Sequence, residues 1–312
     1  MADAASTSVS GLWAIGAAVL LGLLALYAAT VDSVITGRAE GQKATALARP
    51  IWELARLLRQ RRRNTIAADR LLWRIGGSGL LVVALLMVTV VPLGQWTIFD
   101  LNVGVVWFNA MDVVVWALVW LTGWGPNSTH ALVGGYRFLA LGLGYELPLM
   151  FALVAPAIAA GSLNVGVVAA AQDELWFVVW MPVAFVTYCV GVLGFAVWGP
   201  FSAGLGVDIA GGAGSELSGV DRLLFQAGRH ALLAAGAAFA VPMFLGGGAG
   251  PVLPGWIWVL VKTLIVLTGF VWLRRHVPLV RPDLFMEMAW IVLVPAVLVQ
   301  DLIVAVVAVW RN

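Results

Sequence analysis

The sequence predicts an all-α integral membrane protein of about eight transmembrane helices, both termini outside, with an amphipathic helix in the first cytoplasmic loop. Three observations carry that prediction. Of the 312 residues, 62% are hydrophobic and 11% charged, against about 25% charged in soluble domains, and mean hydropathy is +0.98. So little charge cannot cover so apolar a core in water, and the same proportions exclude a disordered chain. Apolar runs of membrane-spanning length recur along the whole chain, and the loop cations all fall in alternate loops.

The runs lie at about 11–31, 75–93, 101–121, 131–160, 174–198, 229–249, 256–274 and 288–310. Backbone in lipid must bond within its own segment, so runs this long are helices rather than barrel strands. The first has no basic segment ahead of a long apolar stretch and reads as a span rather than a cleaved signal. The fourth is long enough to tilt. Between the first two runs lie ten of the eighteen Lys and Arg residues, from Arg38 to Arg74. Arg222 lies between the fifth and sixth, and Arg274, Arg275 and Arg281 between the seventh and eighth; the second, fourth and sixth loops hold none. The positive-inside rule therefore makes 32–74, 122–130, 199–228 and 275–287 cytoplasmic.

Within the first loop, IWELARLLRQRRR repeats Ile51, Leu54, Ala55 and Leu58 at helical spacing, with Pro50 suited to the first turn. This predicts an amphipathic helix in the interface. The following Arg61, Arg62 and Arg63 also suit a stop-transfer cluster on anionic lipid.

A single cysteine, Cys189, and three scattered histidines give no metal-ligand set, and no phosphate loop or nucleophile elbow is present. The chain reads as one membrane domain, 1–312, without an internal repeat, holding no cofactor alone and taking no nucleic-acid partner. Five ionisable residues fall inside predicted spans: Asp112, Arg137, Glu146, Lys262 and Asp301. Each costs roughly 2.5–3.5 kcal/mol near the bilayer centre on insertion scales. Glu146 reads as a proton or ion relay, Lys262 equally as relay or structural cation, and Arg137, Asp112 and Asp301 as structural pairs or snorkelling groups. Arg137 and Glu146 differ by about 13 Å of helical rise and should not pair. The glycine-rich loop 199–228 carries Asp208, Glu216 and Asp221, either a feed for protons or a solvated loop.

Three stretches then resemble one family. PNSTHALVGGYRFLALGLGYELPL at 126–149 is similar to a segment with an arginine, here Arg137, followed by a Tyr–Glu pair, here Tyr145 and Glu146. PFSAGLGVDIAGGAGSELSG at 200–219 resembles a loop beginning PFD and ending EYSG, with Ser202 and Leu217 replacing the aspartate and tyrosine. LRRHVPLVRPDLFMEMAW at 273–290 resembles a block keeping Arg274, Pro278, Arg281, Asp283 and Trp290, with Leu279 and Leu284 as replacements. The family is that of the H-type (type 1) membrane subunit of NADH-quinone oxidoreductase, respiratory complex I, with relatives in energy-converting hydrogenases of the formate hydrogenlyase type. The first loop departs from it by lacking a GPN motif.

The resemblance implies a prokaryotic plasma-membrane subunit of a proton-translocating oxidoreductase. Glu146, Asp208 and Glu216 would form its acidic proton path. Arg137, Tyr145, Lys262 and Asp283 would hold structural or field-setting places. Arg38, Arg274 and Arg281 would lie near a quinone chamber taking ubiquinone or menaquinone at the interface with partners. Those partners would be hydrophilic quinone-module and iron–sulfur subunits, and other membrane-arm subunits including antiporter-like ones. A membrane anchor of a hydrogenase-type complex and a stand-alone transporter are the alternatives.

Overall fold

The computed structural model describes residues 7–41, 46–206 and 212–311. A short strand, β1 (Thr7–Ser8), precedes α1 (Trp13–Ala39), the interfacial α2 (Arg49–Arg59) and α3 (Arg70–Val88). Strand β2 (Trp96–Thr97) leads into α4 (Gly104–Trp124) and the long α5 (Thr129–Ala160). Short helices α6 (Val165–Ala170) and α7 (Phe177–Trp180) precede α8 (Pro182–Phe195), then α9 (Gly219–Phe244), α10 (Gly255–His276), α11 (Pro282–Met288) and α12 (Val294–Arg311). Among the described residues, eight helical segments are long and apolar enough to cross a membrane. The chain is an all-α, multi-pass membrane protein.

The two ends of the bundle follow from which loops bond together. At one end β1 pairs in parallel with β2, Thr7 opposite Trp96, and the Val105 N–H donates to the Leu163 carbonyl at 3.0 Å. At the other, the Asp69 N–H meets the Gly125 carbonyl at 2.9 Å and the Val280 N–H meets that of Pro200 at 2.9 Å. The loop cations expected between the first two, fifth and sixth, and seventh and eighth runs belong to this second end.

Several boundaries differ from the sequence expectation for physical reasons. Helix α1 continues to Ala39 rather than ending near 31. Helix α9 starts at Gly219 rather than near 229, with Asp221 in its first turn, where the helix dipole favours an acid, and the Gly219 N–H donating to Gln60 Oε1 at 3.3 Å. The fifth run is interrupted at Met181 (φ −120°, ψ 48°), since Pro182 bars its predecessor from helical backbone. The eighth run begins at Pro282, and a π turn at Ala289–Leu293 divides it.

Helix α9 occupies the centre. Its stretch Ala231–Phe244 is buried throughout, and small residues let neighbours approach closely. A methyl at Gly228 would meet Leu80 of α3 at 2.5 Å, and one at Gly76 of α3 would meet the Leu118 carbonyl of α4 at 2.6 Å. Phe239 of α9 stacks on Phe108 of α4, with centroids 3.8 Å apart. Helix α2 is held by Leu57, fully buried, while Ile51, Trp52 and Leu58 are exposed. The anchor is therefore not one of the predicted apolar repeat, which faces outward as an interfacial helix would present it to lipid.

Candidate functional site

Midway along α4 and α5, two carboxyl groups meet. Asp112 is fully buried, and neither of its oxygens finds an N–H or O–H donor among the described residues. The side chain it does face is the Glu146 carboxyl, partly exposed on α5. Asn109, one turn from Asp112 on the same face of α4, donates from Nδ2 to Glu146 Oε1 at 3.1 Å. Glu146 Oε2 has no donor among the described residues. Next to Glu146, the Tyr145 hydroxyl is buried without a well-formed hydrogen bond, its ring edge-on to Trp116. The expectation that Asp112 forms a structural ion pair or snorkels is overturned: its neighbour is another acid, and it lies in the middle of its helix. Pro148 adds to the polarity here, because it cannot donate to the Gly144 carbonyl one turn back.

The loop acids are elsewhere. Glu216 accepts from the Ser128 hydroxyl at 3.1 Å and pairs with Arg63 at 3.7 Å. Asp221 pairs with Arg62 at 3.6 Å, and the Arg63 N–H donates to Ser218 Oγ at 2.6 Å. The segment after α2 is thus fastened to the start of α9, so two of the three clustered arginines face protein acids rather than lipid alone. Ser128 immediately precedes α5, so Glu216 stands about 25 Å from Glu146 along that helix. The two do not touch. Asp208 lies outside the described residues.

A cavity of about 630 Å³ opens between α1, α2, α3 and α9. Its inner wall is apolar, with Leu21, Ala25, Leu81, Leu85 and Ala227; Asp32, Ser33, Arg49, Glu53 and His230 stand on its polar wall. Arg274 reaches it through Asp32 at 2.7 Å, and Arg275 approaches the same carboxylate at 3.7 Å. Behind them Trp198 is flanked by Arg274 at 4.7 Å and Arg229 at 5.6 Å from the ring centroid, with His230 edge-on at 5.0 Å. Arg229 also donates to the Val197 carbonyl. Of the three cations expected near a chamber, Arg274 alone is bonded to this wall. Arg38 is exposed on the last turn of α1, and Arg281 is bound to Asp283 at 2.6 Å. Arg281, Asp283 and Arg137 line a second, smaller cavity of about 370 Å³.

Lys262 presents a different arrangement. Its ammonium donates to the carbonyls of Leu245, Gly247 and Ala249 at 2.7, 3.0 and 2.8 Å, and it lies 4.2 Å from the Trp176 ring centroid. The FLGGG corner aims those carbonyls inward because Gly246 (φ 67°) and Gly247 (φ 50°) adopt backbone that side-chain-bearing residues avoid. Gln172 completes the corner, accepting from the Phe177 and Gly246 N–H groups and donating to the Val168 and Pro242 carbonyls. Asp301, on α12, is buried with Oδ1 lacking a donor, beside Gln300, which donates to the Trp180 carbonyl.

Sequence reasoning missed Asn109, Asp32, Gln172 and the facing of Asp112. Asn109 and Asp112 at i and i+3 inside an apolar run was the available signal; the other contacts join residues distant in sequence.

The sequence pattern of the family described as NADH dehydrogenase matches residues 14–305. The NADH-quinone oxidoreductase H subunit 2 of Geobacter sulfurreducens is 33% identical over 268 residues, covering 82% of each chain. The corresponding H subunit 2 of Cereibacter sphaeroides is 37% identical over 217 residues, covering 69% of this chain and 68% of the relative. The H subunit of Syntrophotalea carbinolica is 29% identical over 306 residues, covering 93% of each. With that pattern matched over nearly its whole length, the chain belongs to the NADH dehydrogenase family of membrane subunits, the 1/H family.

Proposed function

We propose that this chain is the membrane subunit of a complex I-type NADH-quinone oxidoreductase in a prokaryotic plasma membrane. Its cytoplasmic half walls a quinone chamber, and Glu146 stands on the path that couples electron transfer to proton translocation. The observation that carries this reading is the cavity between α1, α2, α3 and α9. Its apolar wall suits an isoprenoid tail and its polar groups suit a ring with two oxygens, the usual division of labour in a small-molecule site. Ubiquinone and menaquinone both meet that description.

The bound quinone would accept two electrons and two protons. The chain's own part is narrower. Leu21, Ala25, Leu81 and Leu85 exclude water from the tail. Asp32, held by Arg274, keeps a fixed charge at the polar wall, and His230, whose Nδ1 lies 2.8 Å from the Gln226 carbonyl, is oriented toward the same space. In this reading electrons arrive from partner subunits. Those partners are the hydrophilic quinone-module and iron–sulfur subunits on the cytoplasmic face, with antiporter-like and other membrane-arm subunits alongside.

The test is purification of the complex from its native membrane, followed by illumination with a photoreactive quinone. Label on α1, α2 and α9, and an NADH-quinone turnover reduced about tenfold or more by Ala227→Trp, are expected. Label elsewhere, with unchanged turnover in that variant, would overturn the chamber assignment. Recovery with hydrogenase subunits would move the chain to the hydrogenase-type branch.

A further inference from the structure

We propose that Asp112 and Glu146 together form a two-carboxyl site holding one exchangeable proton, with Asp112 as its inner member and the Tyr145 hydroxyl as its third polar wall. The inference deepens the proton-path reading above and rests on it. It assigns a function to Asp112, which neither resemblance nor motif had singled out.

The argument is one of missing donors. A buried carboxylate is ordinarily compensated by a cation or by several hydrogen bonds. Asp112 is 0% exposed and, among the described residues, has neither. From its own helix, Asn109 is committed to Glu146 Oε1, and Trp116 on the next turn packs edge-on against Tyr145. From α5 it faces Glu146, with the Tyr145 hydroxyl close by. From α8 the nearest ionisable groups are Tyr188, whose hydroxyl is spent on the Gly236 carbonyl at 2.7 Å, and Cys189. Helix α3 carries no ionisable residue from 75 to 88, and α9 offers Phe239, stacked on Phe108 one turn from Asp112.

Two carboxyl groups facing one another without a cation are compatible when one O–H lies between them, donated by one and accepted by the other. The Tyr145 hydroxyl, 1% exposed and without a hydrogen bond of good geometry among the described residues, adds a second unsaturated polar group beside the pair. Transfer within the pair breaks an O–H bond on one carboxyl and forms one on the other. Exchange with the surroundings passes one proton to or from a water molecule, and the net charge of the pair changes by one. Glu146 is partly exposed on the outer side of the bundle, so the pair joins an interior position to a face that a neighbouring subunit can reach.

The test uses the intact complex in sealed vesicles with NADH and a soluble quinone. Asp112→Asn keeps the shape of the side chain and removes the exchangeable proton. It is expected to lower proton translocation about tenfold or more, the scale of a lost acid–base group, with the subunit retained in the purified complex. Glu146→Gln should do the same, and the double variant should be no worse than either alone, because the two act as one unit. Asp112→Glu should recover part of the loss. In infrared difference spectra, a protonated-carboxyl band seen in the native complex should shift or vanish in both single variants, because the carboxyl it faces is gone, which a merely structural Asp112 would not cause. Wild-type translocation in Asp112→Asn, multiplicative losses in the double variant, or a band left unmoved in either single variant would overturn the pair. If the native complex itself moves no protons, the proposed function falls; the infrared band then still decides whether the pair shares a proton.

Discussion

Lys262 and the Asp112–Glu146 pair are both ionisable, both set within membrane-spanning helices, and opposite in how their hydrogen bonds are arranged. Lys262 has three N–H donors and three carbonyl acceptors, with an aromatic ring against the ammonium. Every hydrogen has a place, and removing a proton would strand a carbonyl. Among the described residues, Asp112 has two acceptors and no donor but its acidic neighbour. Burial makes both expensive, yet only the second can gain or lose a proton without breaking a bond that holds helices together. A saturated buried charge fixes a structure; an unsaturated buried pair keeps two states close in energy.

The largest effect expected from this contrast is on stability at the Lys262 corner. Lys262→Met leaves the Leu245, Gly247 and Ala249 carbonyls without their donor at a turn that joins α9 to α10. Unsatisfied buried groups cost about 1–3 kcal/mol each, and partial rehydration at this membrane-end turn reduces the sum to roughly 2–4 kcal/mol. Thermal unfolding of the detergent-solubilised complex should show an early loss of this subunit. If Lys262→Met assembles and unfolds normally but no longer moves protons, the contrast breaks, and Lys262 is a relay. The opposite sign is expected at Asp112. Asp112→Leu removes an acid that no cation or committed donor compensates, so thermal stability should stay within about 1 kcal/mol of native or rise, although proton translocation fails. A large loss of stability would mean that Asp112 is compensated after all.

How far all this could be read from residues depends on the range of the interaction. The eight crossings and the cationic end rest on hydropathy and charge, which are properties of short windows. The onset of α9 was hidden because GVDRLLFQAG mixes polar and apolar residues, and its helical start is held by Arg62, paired with Asp221, and by Gln60, which accepts from the Gly219 N–H, both from another part of the chain. The break at Met181 was legible in Pro182. Glu146 was recognisable as an acid inside an apolar run, and the resemblance added Tyr145. That Asp112 faces it could not be read, since the two sit on different helices and the packing of Gly142 against Trp116 sets how α4 and α5 lie together. FLGGG announced a turn, but nothing local says that Lys262 reaches three of its carbonyls.

An exposed pair sharpens the comparison from the other side. Glu53, on α2 and outside the spans, accepts from Arg56 through Nε at 2.7 Å and Nη2 at 2.5 Å. That hydrogen bonding holds its carboxyl below the ordinary value, against a smaller opposing effect of burial. A lowered native value means that the pair's stabilisation is present above the unfolded carboxylate value and is lost as pH falls through the native one. Saturation here is as complete as at Lys262, but both side chains stand in solvent, 55% and 40% exposed, where water and salt substitute readily for either partner. Arg56→Gln should therefore move the acid limb of α2 docking toward neutral pH, while leaving the thermal midpoint at neutral pH close to native. Docking can be followed by the labelling of a cysteine introduced at exposed Leu58. If the midpoint instead falls as far as in Lys262→Met, then counting hydrogen bonds matters more than burying them, and the distinction between the two interior sites loses its physical basis.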